Sequence, residues 1–384
     1  MPGALFGPMP SQAGPTPQVL SGKVVFSLTR TPEFMENAPK SSHSTSPRVS
    51  VIVTAHDRQS YLHSALVSLD QQSLPREEFE VVLVSNIEEA YLRPLLPNLP
   101  LRMVLEKRLG LGQKIATALP LCRAPIICFL EDDDAYAPEK LSTVLDEFRN
   151  DPQLGFYHNH YNLADGDGRQ LPASIFRART DRILRAAGQV RLGGHDRWAF
   201  LPRLEGIYPE FSNSCISIRR DMLEEHLDWL AQADLATDQF LLLLALRNPW
   251  NITIDARRLT TVRLHGANTS RISRESRNQA SGGTRDLSER NYHALSGLAG
   301  RLKEGQPPEY SRIVDSVIAV ETALLDLRRR ADRGQYTRDL RSLMELRTTY
   351  PIKTREPLIG LTLLGVVLPS AAQKLYRSLA GQIS

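Results

Sequence analysis

Apolar residues in this chain fall into short continuous runs, separated by polar clusters and by segments with helical spacing. Val49-Ser50-Val51-Ile52-Val53 reads as a first strand, ended by Thr54-Ala55-His56-Asp57-Arg58. Tyr61, Leu62, Ala65, Leu66 and Leu69 then recur at helical spacing, with Ser60 as N-cap. Phe79 to Val84 reads as a second strand closed by Ser85-Asn86, and Met103-Val104-Leu105 as a third. Gly110-Leu111-Gly112 then opens a helix through Leu121. Ile126-Ile127-Cys128-Phe129-Leu130 follows as a buried parallel strand, and the segment from Pro138 to about Asn150 as a helix. Strands alternating with helices predict an α/β fold with a mostly parallel sheet and right-handed crossovers. Further on, Phe156–Asn162, Asn213–Arg219, Ile252–Ile254 and Leu259–Leu264 have strand character. Thr237–Arg247 is a buried helix, Pro308–Arg330 is helical, and 165–212 reads as loop-rich and basic.

The feature that carries most chemistry is the run Glu131-Asp132-Asp133-Asp134 at the tip of the fourth strand. Four carboxylates at the end of a buried strand repel one another, which is costly unless a cation neutralises them. Ligand crevices of open α/β sheets lie at the carboxyl ends of the strands. Carboxylate oxygens there suit Mg²⁺ or Mn²⁺, which take one or two protein carboxylates together with substrate phosphates. The competing reading is an acidic first turn for the helix after Pro138.

Composition changes this picture at the two ends of the chain. Hydrophobic content of 41%, charge of 23% and a net charge of +4 are ordinary for a globular protein of 384 residues. Residues 1–47 hold eight of the 25 prolines with much Ser and Gly, and such a stretch predicts a disordered leader. Arg271, Arg274, Arg277, Arg285 and Arg290 lie in one polar, mobile-looking segment, and Arg328-Arg329-Arg330 close a helical one. Both runs suit a solvated face or contact with phosphate or acidic lipid. Basic stripes interleaved with aromatics are missing, which argues against nucleic acid. Cys122, Cys128 and Cys215 have no metal-like or disulfide-like spacing and read as small hydrophobes. The N-terminus lacks the pattern of a secretory signal, so the expected location is cytoplasmic. The apolar run Leu358–Leu368 is shorter than the ~20 residues that span a bilayer. It reads as a core helix or as a helix lying at the inner membrane face, with Lys374, Tyr376 and Arg377 at headgroup level.

Taken in order, these pieces resemble a family 2 glycosyltransferase of the GT-A fold. The opening strand with Thr54-Ala55-His56-Asp57-Arg58, the loop Leu109-Gly110-Leu111-Gly112-Gln113-Lys114 and the acid run followed by Pro138 match its motifs in turn. Thr237-Asp238 stands where the family carries its Glu-Asp pair, and Arg263-Leu264-His265-Gly266 resembles the Arg-X-His segment that closes the catalytic domain. The resemblance covers residues 48–272, leaving 273–356 as loop and helical extension and 357–384 as an apolar tail. It implies an inverting, metal-dependent hexosyl transfer from a UDP- or GDP-linked donor to a glycan or lipid-linked hydroxyl, the acceptor being read by residues 165–215. Such transfer needs a metal to neutralise the leaving diphosphate and a base for the acceptor hydroxyl.

Carried over residue by residue, Asp133 is the metal-binding acid and Asp134 a supporting ligand. Asp132 and Glu131 lie near the ribose, while Thr54, His56 and Asp57 edge the nucleobase. Asp238 is the base or an ordinary first-turn acid. His265 touches the metal or diphosphate, or is a buried structural histidine. Lys114 screens a phosphate or is an exposed surface lysine. The sequence departs from the family at two places. Ser85-Asn86 replace the paired aspartates that end the second strand in many relatives, leaving Asn86 to meet the nucleobase; its carbonyl can accept an imide N–H bond. Thr237 replaces the Glu before the base. A nucleotidyltransferase, whose phosphate loop would be Gly-rich between Thr54 and Ser60, and a non-catalytic cation-binding membrane module are the competing readings.

Overall fold

The computed structural model describes residues 46–56, 59–92, 99, 101–106, 110–171, 175–193, 197–200, 209, 211–265, 287–329, 333–345 and 355–375. Asp57, Tyr376, Arg377, nearly all of the expected leader and the basic stretch from Arg271 to Arg285 lie outside the described residues. The elements begin with β1 (Val49–Thr54), α1 (Gln59–Asp70), β2 (Phe79–Ser85), α2 (Glu89–Leu92), β3 (Leu101–Leu105), α3 (Leu111–Ala118), β4 (Ile126–Glu131), β5 (Ala135–Tyr136) and α4 (Lys140–Asn150). They continue with β6 (Leu154–Ala164), α5 (Ile175–Ala187), β7 (Gln189–Leu192), α6 (Arg197–Phe200), β8 (Ile216–Arg219), α7 (Arg220–Glu224), α8 (Leu227–Gln232), α9 (Thr237–Arg247) and β9 (Asn251–Arg263). After β9 come α10 (Leu287–Lys303), α11 (Pro308–Arg328), α12 (Arg333–Glu345) and α13 (Arg355–Val367), and residues 369–375 are helical as well.

The strands make one sheet in the order β3-β2-β1-β4-β8-β6-β9-β5, with β7 also paired to β9. The first four are parallel, as their crossovers require. β8 enters antiparallel to both β4 and β6, so the second half of the sheet is mixed. Alternate residues of the parallel strands enter two different cores, because side chains in a strand point to opposite faces. Val49, Val51 and Val53 of β1, with Cys128 and Leu130 of β4, meet α1 and α4. Ile52, Ile127 and Phe129 meet α3, α9, α10 and α11 on the other face. The three cysteines are buried free thiols inside these layers.

Three expectations need correction. Residues 165–212 are not loop-rich throughout, since α5, β7 and α6 lie there. Ile252–Ile254 and Leu259–Leu264 are not two strands. They form the single strand β9, whose polar middle coincides with register irregularities near Asn159 and His160 of β6. Only the second half of Asn213–Arg219 is strand; it begins as a turn of 3₁₀ helix.

The apolar run near the C-terminus is divided between two environments. In α13 Leu361 and Thr362 are buried in a small core with Tyr336 and Leu343 of α12, while Leu363 and Val367 are exposed. Gly365 lies against Tyr336, where a Cβ would come within 2.7 Å of the ring. Among the described residues no helix is long and apolar enough to cross a membrane.

Candidate active site

The register pairs Thr54 with Glu131 and with Val84, so β1, β2 and β4 end along one edge. Polar residues following these strands are therefore delivered together. The Asp132 N–H donates to the Thr54 carbonyl at 3.2 Å, and the His56 N–H donates to Asp132 Oδ2 at 2.9 Å. Asn86 follows Ser85, whose Oγ accepts the Ile87 N–H at 2.9 Å and closes the turn after β2.

The acid run turns sharply after β4. β5 immediately pairs with Thr260 and Thr261 of β9, which anchors the far side of that turn. Arg263 at the end of β9 ties it down. Its backbone N–H donates to Asp134 Oδ1 at 3.0 Å and its Nε to the Asp133 carbonyl at 3.0 Å, while its terminal nitrogens reach the Gly166 carbonyl and Ser64 Oγ. Two residues on, His265 Nε2 lies 3.1 Å from Asp133 Oδ2, with the imidazole stacked on Tyr61 at 4.3 Å between centroids. The Glu131 N–H donates to Ser214 Oγ, and Glu131 Oε1 accepts from Asn213 Nδ2 at 3.0 Å. Asn213 Oδ1 is buried with no hydrogen-bond partner among the described residues.

The electrostatics follow from this crowding. Burial pushes the Glu131 carboxyl well above its usual range, and the charges of Asp133 and Asp134 push it further. Asp134 is pushed up to about 7, by burial first and then by Asp133. Behind the acids lies fully buried Lys140, with Nζ donating to the Ser214 carbonyl and to Thr260 Oγ1. Burial lowers that ammonium to about 8, while negative neighbours including Asp134 oppose the shift. Asp238 occupies the first turn of α9 and is half-buried. Burial raises its carboxyl to about 7; the Gln239 N–H donating to Oδ1 at 2.8 Å works against that rise, and the charge of Glu321 adds to it. Asp238 is near enough to raise Glu131 in turn.

The fold thus gathers Thr54, His56, Glu131, Asp132, Asp133, Asp134 and His265 at one edge, with Asp238 close by. Lys114 is neither a surface lysine nor directed to solvent. It is buried, and its Nζ donates to the Ala55 carbonyl at 2.6 Å, bracing the loop after β1 from α3. The glycines before it serve packing as well. A Cβ on Gly110 would come within 2.0 Å of Asp234 Oδ1, and one on Gly112 within 2.2 Å of the Leu230 carbonyl of α8. Arg290 belongs to this contact and not to a solvated basic face, since its Nε and a terminal nitrogen bind Asp234 at 2.6 and 2.7 Å. Lys140, Asn213 and Ser214 escaped the sequence reading, because nothing in their local pattern shows that they pack against the acids.

Among the described residues no three His, Cys, Asp or Glu side chains form a cage able to hold an ion unaided. An ion that takes one or two carboxylates and fills its remaining positions with phosphate oxygens and water needs none. Buried carboxylates suit such an ion, since a divalent charge would offset both the burial and the repulsion from neighbouring acids that raise Asp134 and Glu131. The chemistry of the donor set fits such an ion; Asp134 Oδ1 is engaged by the Arg263 N–H of β9, and Asp133 Oδ2 lies beside His265 Nε2.

Residues 50–227 match the family model described as Glycosyl transferase family 2. An uncharacterized glycosyltransferase from Nostoc sp. is 21% identical over 184 residues, a match covering 46% of this chain and 52% of the relative, so the match spans about half of its length. Among solved structures, S. aureus TarS 1-349 superposes with a TM-score of 0.52 at 15% identity, covering 88% of this chain and 91% of that one. TarS 1-349 in complex with UDP-GlcNAc gives 0.51 at the same identity and coverage. At this identity the likeness shows the fold, which is GT-A.

Proposed function

Residues 50–227 are a family 2 glycosyltransferase domain of GT-A fold, and from that premise we propose that the chain transfers a sugar from a nucleoside-diphosphate donor to an acceptor hydroxyl, with inversion at the anomeric carbon. The observation that carries this reading is the meeting of two chemistries at one strand edge. A crowded carboxylate set lies at the tip of β4, and a separate carboxyl raised to about 7, Asp238, stands at the start of α9. That position near neutrality suits a general base, which works best when its pKa lies close to the operating pH.

In this reading the loop after β1 and Asn86 form the rim for the nucleobase. Asp132 and Glu131 lie toward the ribose, and the His56 N–H, donated to Asp132 Oδ2, ties that side to the nucleobase rim. Asp133, beside His265, would hold a divalent cation, Mn²⁺ or Mg²⁺, with Asp134 as a supporting ligand and Lys140 setting the charge behind them. When bound, the cation neutralises charge developing on the departing diphosphate. The orphaned Oδ1 of Asn213 is placed to accept a hydroxyl hydrogen bond close to Glu131. Asp238 Oδ2 takes the acceptor proton as the new glycosidic bond forms and the donor's bond to the diphosphate breaks. The acceptor is a glycan or lipid-linked sugar hydroxyl, and the donor base is uracil or guanine.

Nucleotide release from a panel of UDP- and GDP-sugars, with Mn²⁺ and with chelator, tests the assignment. Metal-dependent release from at least one donor is expected, and its absence across the panel would overturn the reading. Asp238→Asn is expected to keep donor affinity by calorimetry while kcat for transfer falls by about 10²–10⁴. Equal loss of donor binding would make Asp238 a donor-binding or structural residue.

A further inference from the structure

The C-terminal helices lie beyond the stretch matched by the family model, yet α11 packs on α9, the helix that presents Asp238. Tyr310 of α11 donates its hydroxyl to the Leu243 carbonyl of α9 at 2.9 Å. Further along α11, Glu321 is buried, and its Oε1 accepts from Gln239 Nε2 at 3.1 Å. Gln239 also donates its backbone N–H to Asp238 Oδ1. A continuous path therefore runs from Glu321 through the side-chain Nε2 and the backbone N–H of Gln239 to the carboxyl of Asp238. The residue before Asp238 is Thr237, which is buried and brings no charge.

We propose that Glu321 is a positioning residue for Asp238, and that the C-terminal helices thereby supply the second carboxylate of the base's environment. The inference rests on Asp238 acting as the base. Glu321 fixes the rotamer of Gln239 and with it the first turn of α9, which aims the N–H that orients Asp238. Its negative charge also disfavours a second negative charge nearby, so Asp238 holds its proton to higher pH and is a stronger base once ionised. Among the described residues, Glu321 from α11 and Glu131 from the tip of β4 interact electrostatically with Asp238. Only the first belongs to the C-terminal helices.

The test compares wild type, Glu321→Gln and Glu321→Asp in the full chain with Mn²⁺, donor being varied for KM and saturating for the pH profile of kcat. Glu321→Gln keeps an acceptor for Gln239 but removes the charge. Its acid limb of kcat is expected to move to lower pH by about half a unit or more, with a several-fold lower plateau and an unchanged donor KM. Glu321→Asp is expected to return the limb toward wild type. An unmoved limb in Glu321→Gln, or KM and kcat falling together in both variants, would overturn the proposal. A readout independent of turnover is the ¹³C titration of the Asp238 carboxyl, identified by its loss in Asp238→Asn. A midpoint near 7 that drops in Glu321→Gln supports the role, and coincident curves refute it. Because this titration needs no donor, it can succeed or fail separately from the donor panel.

Discussion

Glu80 and Asp134 are both buried acids of the parallel half of the sheet, one in β2 at its amino edge and the other in the turn after β4 at its carboxyl edge. Glu80, in β2, is surrounded by donors. Ser50 Oγ and the Arg123 N–H bind Oε1, while Arg123 Nε and a terminal nitrogen of Arg102 bind Oε2. Burial alone would raise its carboxyl, but the Arg123 backbone, Ser50 and the Arg123 side chain outweigh that and hold it below its usual range. At the other edge Asp134 is pushed up to about 7, by burial first and then by the charge of Asp133, and its bonds from Ser214 and the Arg263 N–H do not outweigh them. Equal burial therefore has opposite consequences. An acid met by donors fastens the fold, whereas acids met by acids leave negative potential for something outside the chain to satisfy.

The sharpest way to break this contrast is at Asp133. Asp133→Asn is expected to lower metal-dependent nucleotide release by roughly 10³-fold, the scale of several kcal/mol that metal charge stabilisation supplies, while the fold is retained. Wild-type turnover at saturating Mn²⁺ would remove Asp133 from the metal site. Glu80→Ala should act in the opposite sense. It strands buried donors, so urea unfolding should show a loss of about 1–3 kcal/mol, with nucleotide release per folded molecule unchanged. A marked activity loss with unchanged stability would show that the two edges are not separate.

The smallest effect is expected in the pH dependence of stability without metal. Asp134 holds its proton to about 7 in the folded chain, against ~3.9 when unfolded. The folded state therefore binds the extra proton between those values, and this contribution is present at low pH and lost as pH rises through about 7. In chelator, Tm should fall by a few degrees between pH 5.5 and 8, each kcal/mol being worth about 2–4 °C in a domain of this size. Millimolar Mn²⁺ should recover most of the loss, and Asp133→Asn should flatten the slope. A slope unaffected by Mn²⁺ would mean that the acids at the β4 tip do not set it.

Much of the parallel half was legible because its strands bury both faces and end in abrupt polar clusters. Ile126–Leu130 followed by Glu131 is the clearest case. Legibility fell where local pattern and long-range pairing diverge. Asp255 to Arg258 look like a break, yet Asp255 is held by Tyr157 and Gln189, and β9 runs through them. The segment 165–212 reads as basic and irregular, but Thr180 and Asp181 bury one side of α5, and Asp181 pairs with His160 at 2.6 Å. At the site, residue types were visible and partners were not. Lys114 braces a backbone carbonyl, Lys140 backs the acids, and Glu321 reaches Asp238 from more than 80 positions away, as its bond to Gln239, 82 residues distant, shows. No periodicity encodes such meetings.

The close approach of Gly110 and Gly112 to Asp234 and α8 bears on how this chain could diversify. A side chain at either position would have to displace a carboxylate clamped by Arg290 or the backbone of a neighbouring helix. Both positions are therefore held to glycine by packing, whichever nucleotide is bound. Asn86, which follows β2, carries a side chain at the carboxyl edge of the sheet. Two chains sharing these glycines therefore need share nothing more than the way α3 meets α8 and its following turn.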